Sequence, residues 1–450
     1  GSAGMTQSRY RKVPSGRMAR LASFGQLAGG VAGGMIAEGA RRLADGQRPH
    51  LSDLMLTPGN AHRVTEQLSR LRGAAMKLGQ MISMDGGDVL PPELTAILAR
   101  LRDAAHFMPP AQLHRVLEDA WGPDWRGRFA EFETRPIAAA SIGQVHRATL
   151  RGGRQLAIKV QYPGVAASID ADVDNVASLL RMSGLLPGGL DIGPLLAHAK
   201  RQLHEEADYR READQMRRYR ALLADDPAFL VPEPVEDLCR ERVLVMDYIA
   251  GDPIETLQTA PQAVRDGAMG ALIGLALREL FAFGYMQTDP NFANYRWQAA
   301  SRKIVLLDFG AAMAVSDHTR AAYRRLALAG LSEDLPALRR ALVEVGFLSP
   351  VLLQRHGQAI DEMIGVLLRH LGRPGLFDFA DRAFVEQVRQ KAETIAADRM
   401  AWHAPPAETL FVQRKVSGMA LLAIRLRARL PLRDMVAGMV DAGPLAPDQD

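Results

Sequence analysis

The chain has 450 residues, of which 48% are hydrophobic and 24% charged. That is an ordinary globular balance, which excludes a disordered or fibrous protein. A formal charge of +4 gives no reason to expect nucleic acid as a partner. The single cysteine, Cys239, excludes an internal disulfide and suits a reducing compartment.

"GSAG" (1–4) before Met5 reads as an expression scar. The segment 21–43 then carries small residues four apart: Gly25 and Gly29, Gly29 and Gly33, Gly30 and Gly34. On a helix they form a flat face on which a membrane helix or a second copy, making a homodimer, could close. Alanine and glycine supply little transfer free energy, so a conventional spanning helix is not expected. Residues 60–120 read as helices, with apolar residues at three- and four-residue intervals in "NAHRVTEQLSRLRGAAMKLGQMISM" and "PPELTAILARLRDAAHFMPP". Between 128 and 163 the pattern changes to short alternating or β-branched runs, with "RGG" (151–153) as a hairpin signal. After Pro163 helix returns, including one long charged helix, "LLAHAKRQLHEEADYRREADQMRRYRALL". Strands are expected at "FLVPEPVEDL" and "RVLVMDYIAG", and nearly everything beyond 260 is expected to be helical apart from "YMQTDPNFANY" and "KIVLLDFG".

This order predicts an α+β, protein-kinase-like, two-lobed fold. A helical N-terminal extension (5–127) precedes an N-lobe with inserted helices (128–249) and a helical C-lobe (250–450).

The polar residues follow the needs of phosphoryl transfer from ATP. "AAASIGQV" would be a loop over the phosphates, with Ala138, Ala139, Ala140, Ser141, Gly143 and Val145 contributing. Alanine in place of glycine makes such a loop stiffer. Lys159 in "LAIKV" alternates with Ile158 and Val160, so it can face a cleft and hold two phosphates. Its acidic partner would lie on the charged helix, where Glu206, Asp208 and Glu212 are all available and spacing does not choose among them. "VLVMDYIAG" would offer backbone groups near Asp247 to Ile249 to an adenine edge. Asp289 would orient or deprotonate the acceptor hydroxyl or a water. Asn294, five residues on, and Asp308 of "DFG" would hold Mg²⁺, which prefers hard oxygen ligands.

These segments resemble the UbiB (aarF-domain-containing) family of atypical kinases, particularly its coenzyme Q biosynthesis branch. The resemblance runs through "MKLGQMIS", "AAASIGQVHRA", "AIKVQYPGV", "EEADYRREA", "MQTDPNFAN" and "LLDFGA" to "VQRKVSGMALLAIRLRARLP", covering almost the whole chain. It implies that Lys77 and Gln80 of the Lys-x-Gly-Gln motif lie over the cleft. It further implies that Glu206 and Asp208 form the Glu-x-Asp motif engaging that extension, and that Glu212 is the partner of Lys159. "QTD" replaces His-Arg-Asp, and no Ala-Pro-Glu follows "DFG", so a platform for peptide substrates is not expected.

The expected activity is that of an ATP-binding, Mg²⁺-dependent atypical kinase or ATPase supporting ubiquinone biosynthesis. It would handle prenyl-lipid intermediates or partner enzymes, peripheral to the inner membrane from the cytoplasmic side. An excess of Arg over Lys points to a bacterial source. The basic stretch "AIRLRARLPLR" reads as a helix that could meet an anionic membrane surface. Competing readings are a small-molecule or lipid kinase using the same residues, a nucleotide-sensing pseudokinase scaffold, and a membrane-docked dimerisation module built on the 21–43 glycines.

Overall fold

The computed structural model of the chain describes residues 107–182, 192–396, 398 and 407–442. The scar, the glycine-rich 21–43 segment, and Lys77 and Gln80 lie outside the described residues. The described residues divide into two compact units. The first takes 107–182, then 193–220 and 232–249; the second takes 192, 221–231 and the described residues from 250 onward.

The first unit is built on an antiparallel sheet. Its strands are β1 (Phe129–Phe132), β2 (Ala138–Ala139), β3 (Gly143–Leu150), β4 (Gln155–Gln161) and, after the helices, a strand at Val243–Asp247. The sheet order is β1, β3, β4 and then the Val243–Asp247 strand, with β2 paired to the outer end of β3. β3 and β4 are joined at "RGG", where Gly152 and Gly153 take φ of 108° and 99°, values that L side chains rarely adopt. The sheet is held by fully buried aliphatic side chains: Leu156, Ile158 and Val160 on β4, and Val243, Leu244 and Val245 beside them. Each such side chain contributes about 1.5–3 kcal/mol relative to remaining in water.

Helix α1 (Pro110–Trp121) buries Leu113, Leu117 and Trp121, a stripe at four-residue spacing. Trp121, Trp125, Phe129 and Phe132 then form a tilted and edge-to-face aromatic cluster, with Trp125 and Phe132 centroids 5.1 Å apart. The Trp121 indole donates to the Leu238 carbonyl at 2.9 Å. Helix α2 (Val165–Met182) packs with α3 (Gly193–Glu206).

The long charged helix expected from sequence is two helices, α3 and α4 (Tyr209–Leu222). The break falls at Asp208, whose carboxylate accepts from the Arg211 N–H at 3.2 Å in the first turn of α4. An Asp that caps the next turn offers the backbone an alternative to continuing the helix.

The second unit opens with β5 (Phe229–Leu230), which pairs in parallel with a later strand of this unit. With the Val243–Asp247 strand numbered β6, its further elements are β7 (Asp252–Pro253), α5 (Gln262–Arg278), β8 (Tyr285–Gln287), β9 (Tyr295–Gln298), β10 (Lys303–Leu306) and β11 (Ala312–Ala314). Strands β5, β10, β9 and β7 form one sheet, while β8 and β11 form a separate antiparallel pair. The sequence reading expected far fewer strands here. "YRWQ" and the two-residue strands are too short to display a period of two, so neighbouring strands decide their conformation.

Helices α6 (Asp317–Leu331), α7 (Leu335–Glu344), α8 (Pro350–Leu371), α9 (Arg382–Ala396), α10 (Ala407–Leu426) and α11 (Leu432–Ala442) complete the unit. Ser316, Asp334 and Ser349 each accept a first-turn N–H with their side chains, fixing the starts of α6, α7 and α8. One core gathers Leu280, Phe281, Met286, Val315, Tyr323, Val345, Val412 and Val440. "AIRLRARLPLR" is not one helix: α10 stops at Leu426, Arg427 has φ 51°, and Arg429–Leu430 form β13 against β12 (Phe377–Asp378). Arg427 donates to the Gln258 carbonyl and Arg429 pairs with Asp378, so these charges have partners within the chain.

Candidate active site

The first unit gathers polar groups around Lys159. This residue sits at the centre of the sheet, paired to Val145 on β3 and Leu244 on β6. Its amine donates to Glu212 Oε1 at 2.8 Å and Oε2 at 3.3 Å. The two side chains are only 11% and 2% exposed, which makes this a buried ion pair. The ammonium also lies 5.2 Å from the centroid of the Tyr209 ring, a cation–π arrangement. α4 therefore delivers both contacts, Tyr209 from its first residue and Glu212 one turn later.

The "AAASIGQV" segment is a hairpin that folds back on the sheet. Ala138 pairs with Val145 and Ala139 with Gln144, and the Ala140 N–H donates to the Gly143 carbonyl at 2.8 Å, leaving Ser141 and Ile142 at the tip. Gly143 is required by close approach: a Cβ there would overlap the Val160 carbonyl and crowd the Tyr209 hydroxyl. Gln144 and His146 continue inward as a buried relay. The Glu133 carbonyl faces His146 Nδ1 at 2.9 Å, Gln144 faces Nε2 at 2.9 Å, and the Met108 N–H donates to Gln144 Oε1 at 2.8 Å. Burial pulls the His146 pKa down to about 4, against a smaller raising effect of the Glu133 carbonyl.

Glu206 and Asp208 flank the break between α3 and α4, Glu206 buried and Asp208 half-buried. Their expected partners Lys77 and Gln80 lie outside the described residues. At the end of β6, Asp247 pairs with Arg154 at 2.7 Å, and the N–H groups of Asp247 and Tyr248 donate to Glu233 and Gln155. Ile249 is the last residue of this unit and is half-buried. A base edge at this strand end would therefore have to use groups other than those two N–H donors.

The second unit assembles the loops carrying Asp289, Asn294 and Asp308. Asp289 Oδ1 accepts from the Asn291 N–H at 3.1 Å. The Asn294 amide reaches back to the Asp289 carbonyl at 3.4 Å, which curls the loop. The Asn294 carbonyl in turn accepts from the Leu307 N–H at 2.8 Å, tying this loop to the residue before Asp308. Asp308 has φ 63°, a left-handed conformation that costs an ordinary side chain about 1 kcal/mol or more. Its carboxylate accepts from the Gly310 N–H at 3.1 Å, its carbonyl accepts from Gln287 Nε2 at 3.0 Å, and Phe309 is buried beside it. A non-glycine residue kept in such a conformation by several surrounding contacts points to function.

Beneath these loops lies a charged cluster that sequence reasoning missed. Lys415 on α10 donates to the Tyr295 hydroxyl at 2.9 Å and to Gln287 Oε1 at 3.4 Å, and stands 3.7 Å from Glu279 Oε1. Glu279 Oε2 accepts from the Gln287 N–H at 2.7 Å. Glu279 begins a π-helical turn, Glu279–Phe283, and such turns are frequent at functional sites. Burial alone would lower the Lys415 pKa, but the facing Glu279 carboxylate and Tyr295 oxygen hold it above the ordinary lysine range. Burial pushes the Tyr295 phenol up, with Lys415 acting in the opposite direction. The signal in the sequence was "QRK" (413–415), three consecutive polar residues within an apolar helix. All three are buried.

A lysine-bearing antiparallel sheet with its helix-borne glutamate, and a largely helical unit holding an Asp-Phe-Gly turn, define a kinase-like protein. The ABC1 atypical kinase-like domain matches residues 100–342. The rat protein described as atypical kinase COQ8B, mitochondrial, is 39% identical over 431 residues, covering 95% of this chain and 81% of the rat protein. Atypical kinase COQ8 of Saccharomyces cerevisiae is 36% identical over 423 residues, with 92% and 83% covered. Atypical kinase coq-8 of Caenorhabditis elegans is 38% identical over 433 residues, although the chain spans only 57% of its length. A solved structure, the Rv3197–erythromycin complex from Mycobacterium tuberculosis, aligns with a TM-score of 0.53 at 25% identity, covering 84% of this chain and 95% of that one. The chain belongs to the ABC1 family of atypical kinases. The three relatives compared in sequence are mitochondrial proteins of eukaryotes and lend no support to the bacterial source expected from residue usage.

Proposed function

We propose that this protein binds ATP with Mg²⁺ and cleaves its terminal phosphoryl group in support of ubiquinone biosynthesis. The observation carrying this reading is the buried Lys159–Glu212 pair at 2.8 Å on the centre of a sheet. An ammonium held this firmly is a ready phosphate ligand, and Glu212 keeps it pointed. The stiff "AAASIGQV" hairpin would cover phosphates through its backbone.

The donor set fits Mg²⁺. The described residues contain no group of three or more His, Cys, Asp or Glu able to cage a metal. A magnesium ion instead takes one or two protein oxygens and completes its shell with phosphates and water. Asn294 and Asp308 supply one amide oxygen and one carboxylate, on loops tied by the Leu307–Asn294 hydrogen bond. When bound, the ion would neutralise charge on the phosphates. Asp289 would accept a hydrogen bond from the attacking hydroxyl or water and take its proton as the new bond to phosphorus forms.

Hydrolysis is favoured over peptide phosphorylation because little chain separates the Asp-Phe-Gly turn from α6. β11 occupies Ala312–Ala314 and α6 begins at Asp317, leaving no extended segment there to bind a peptide. Coupling of this hydrolysis to prenyl-lipid intermediates or to ubiquinone-pathway enzymes at an anionic membrane surface belongs to the same proposal. It draws support from the COQ8 relatives. No helix among the described residues is long and apolar enough to cross a membrane.

The test is incubation with γ-labelled ATP, Mg²⁺ and a lipid extract. Free labelled phosphate that disappears in Asp289→Asn supports the hydrolase. A labelled lipid would turn the reading toward a lipid kinase, and nucleotide binding without either product toward a sensor.

A further inference from the structure

The loop holding Asp289 is braced from a distant part of the sequence. On α10, Arg414 and Gly418 are four residues apart and so share a face. Arg414 Nη2 lies 3.9 Å from Asp289 Oδ1, with the two side chains 10% and 17% exposed. Gly418 faces the next residue, where a Cβ would overlap the Pro290 ring. One helical turn thus grips "DP" from one side, with charge at one end and backbone contact at the other. The adjacent Lys415 fixes the strands on either side of the loop through Gln287 and Tyr295. A guanidinium this buried has lost much of its hydration, so its interaction with a nearby carboxylate is only weakly screened.

We infer that Arg414 is a positioning residue for Asp289, holding its carboxylate aimed at the acceptor. This supplies from α10 a basic group that "QTD" lacks beside its aspartate. The inference rests on the proposed role of Asp289. Its charged surroundings are Arg414, the Lys415 ammonium, the Tyr295 phenol and the Glu279 carboxylate, with the Asn291 N–H on Oδ1. Lys415 is itself engaged by Glu279 and by the Tyr295 hydroxyl, and Arg414 is the cation paired with the Asp289 carboxylate.

The experiment compares kcat and KM for Mg²⁺-dependent phosphate release from ATP, and the folded fraction in urea, for wild type, Arg414→Gln, Arg414→Lys and Asp289→Asn, each as the full chain at neutral pH. Arg414→Gln is expected to lower kcat about tenfold, a part of the ~10²–10⁴-fold that a general base contributes, and to leave the KM for ATP within about twofold. Arg414→Lys, which keeps the charge on a comparably long side chain, should recover most of the lost kcat. Loss of packing alone would lower the folded fraction, raise KM together with the fall in kcat, and show no rescue by Arg414→Lys, and that result overturns the inference. Unchanged kcat in Arg414→Gln, with Asp289→Asn inactive, overturns it while the proposed function stands. Full turnover by Asp289→Asn removes the proposed role of Asp289, and the inference with it.

Discussion

The two units hold their polar residues by different means. In the first, Lys159 and Glu212 meet between adjacent pieces of a continuous sheet-and-helix scaffold, and the ion pair is itself part of the core. In the second, Asp289, Asn294 and Asp308 ride on short loops, and the charge that stabilises the region sits underneath them, where Lys415 faces Glu279. One unit sets its candidate groups into its interior; the other buries Asn294 and leaves Asp289 and Asp308 partly exposed above a buried Lys415–Glu279 pair. The lesson is that loop residues can be as well positioned as strand residues when a buried ion pair fixes the strands that carry the loop.

The sharpest way to break this comparison is at Lys159. Lys159→Met should abolish nucleotide turnover and, by leaving Glu212 buried without its ammonium, cost about 3–5 kcal/mol in urea unfolding. Lys159→Met with Glu212→Leu should recover much of that stability but none of the turnover. Recovery of both would mean that the pair is only structural. Lys415→Met should be as destabilising, again about 3–5 kcal/mol, because Glu279 would be stranded. It should also reduce turnover through movement of Gln287 and Tyr295. A stable, active Lys415→Met protein would show that the Lys415–Glu279 pair is dispensable.

A smaller effect separates the units by pH. His146 is buried with its pKa lowered to about 4 from an ordinary 6.5. Since its folded-state pKa is depressed, the unfolded chain binds the proton first as pH falls. Stability is therefore complete above about pH 6.5 and is lost progressively toward pH 4, by up to about 3 kcal/mol at roughly 1.4 kcal/mol per unit. Denaturation midpoints of wild type and His146→Gln across that window should show the slope only in wild type. An equal slope in both proteins would assign it elsewhere.

The smallest effects concern close approach. Gly143→Ala in the first unit and Gly418→Ala in the second should each cost about 1–3 kcal/mol, since both insert a methyl where no space exists. Gly418→Ala should also lower turnover, because what it displaces is Pro290, the neighbour of Asp289.

How much of this was legible in the sequence follows from distance along the chain. The β3–β4 hairpin announced itself through alternation and "RGG", and the Asp289–Asn294 loop through its turn residues and five-residue gap. Both are local patterns. The break at Asp208 was hidden because a charged helix carries on its helical periodicity through a residue that can equally cap the next turn. Tyr209 was invisible as a site residue because its role comes from lying between Gly143 and Lys159, which only the folded register reveals. Arg414 and Lys415 were missed for the same reason, since the acids they face, Asp289 and Glu279, lie more than a hundred residues away, and Glu279 was missed because its pairing with Lys415 is equally remote. The arginines of "AIRLRARLPLR" read as one helical face, but the turn at Arg427 ends that helix, and Arg427 and Arg429 stay exposed while reaching the Gln258 carbonyl and Asp378.

Calorimetric titration of a non-hydrolysable ATP analogue, with and without Mg²⁺, tests the central claim most directly. The account predicts tight binding by wild type that depends on Mg²⁺, and loss of that dependence in both Asp308→Ala and Asn294→Ala. Equal affinity in all three proteins, unaffected by the metal, would contradict it.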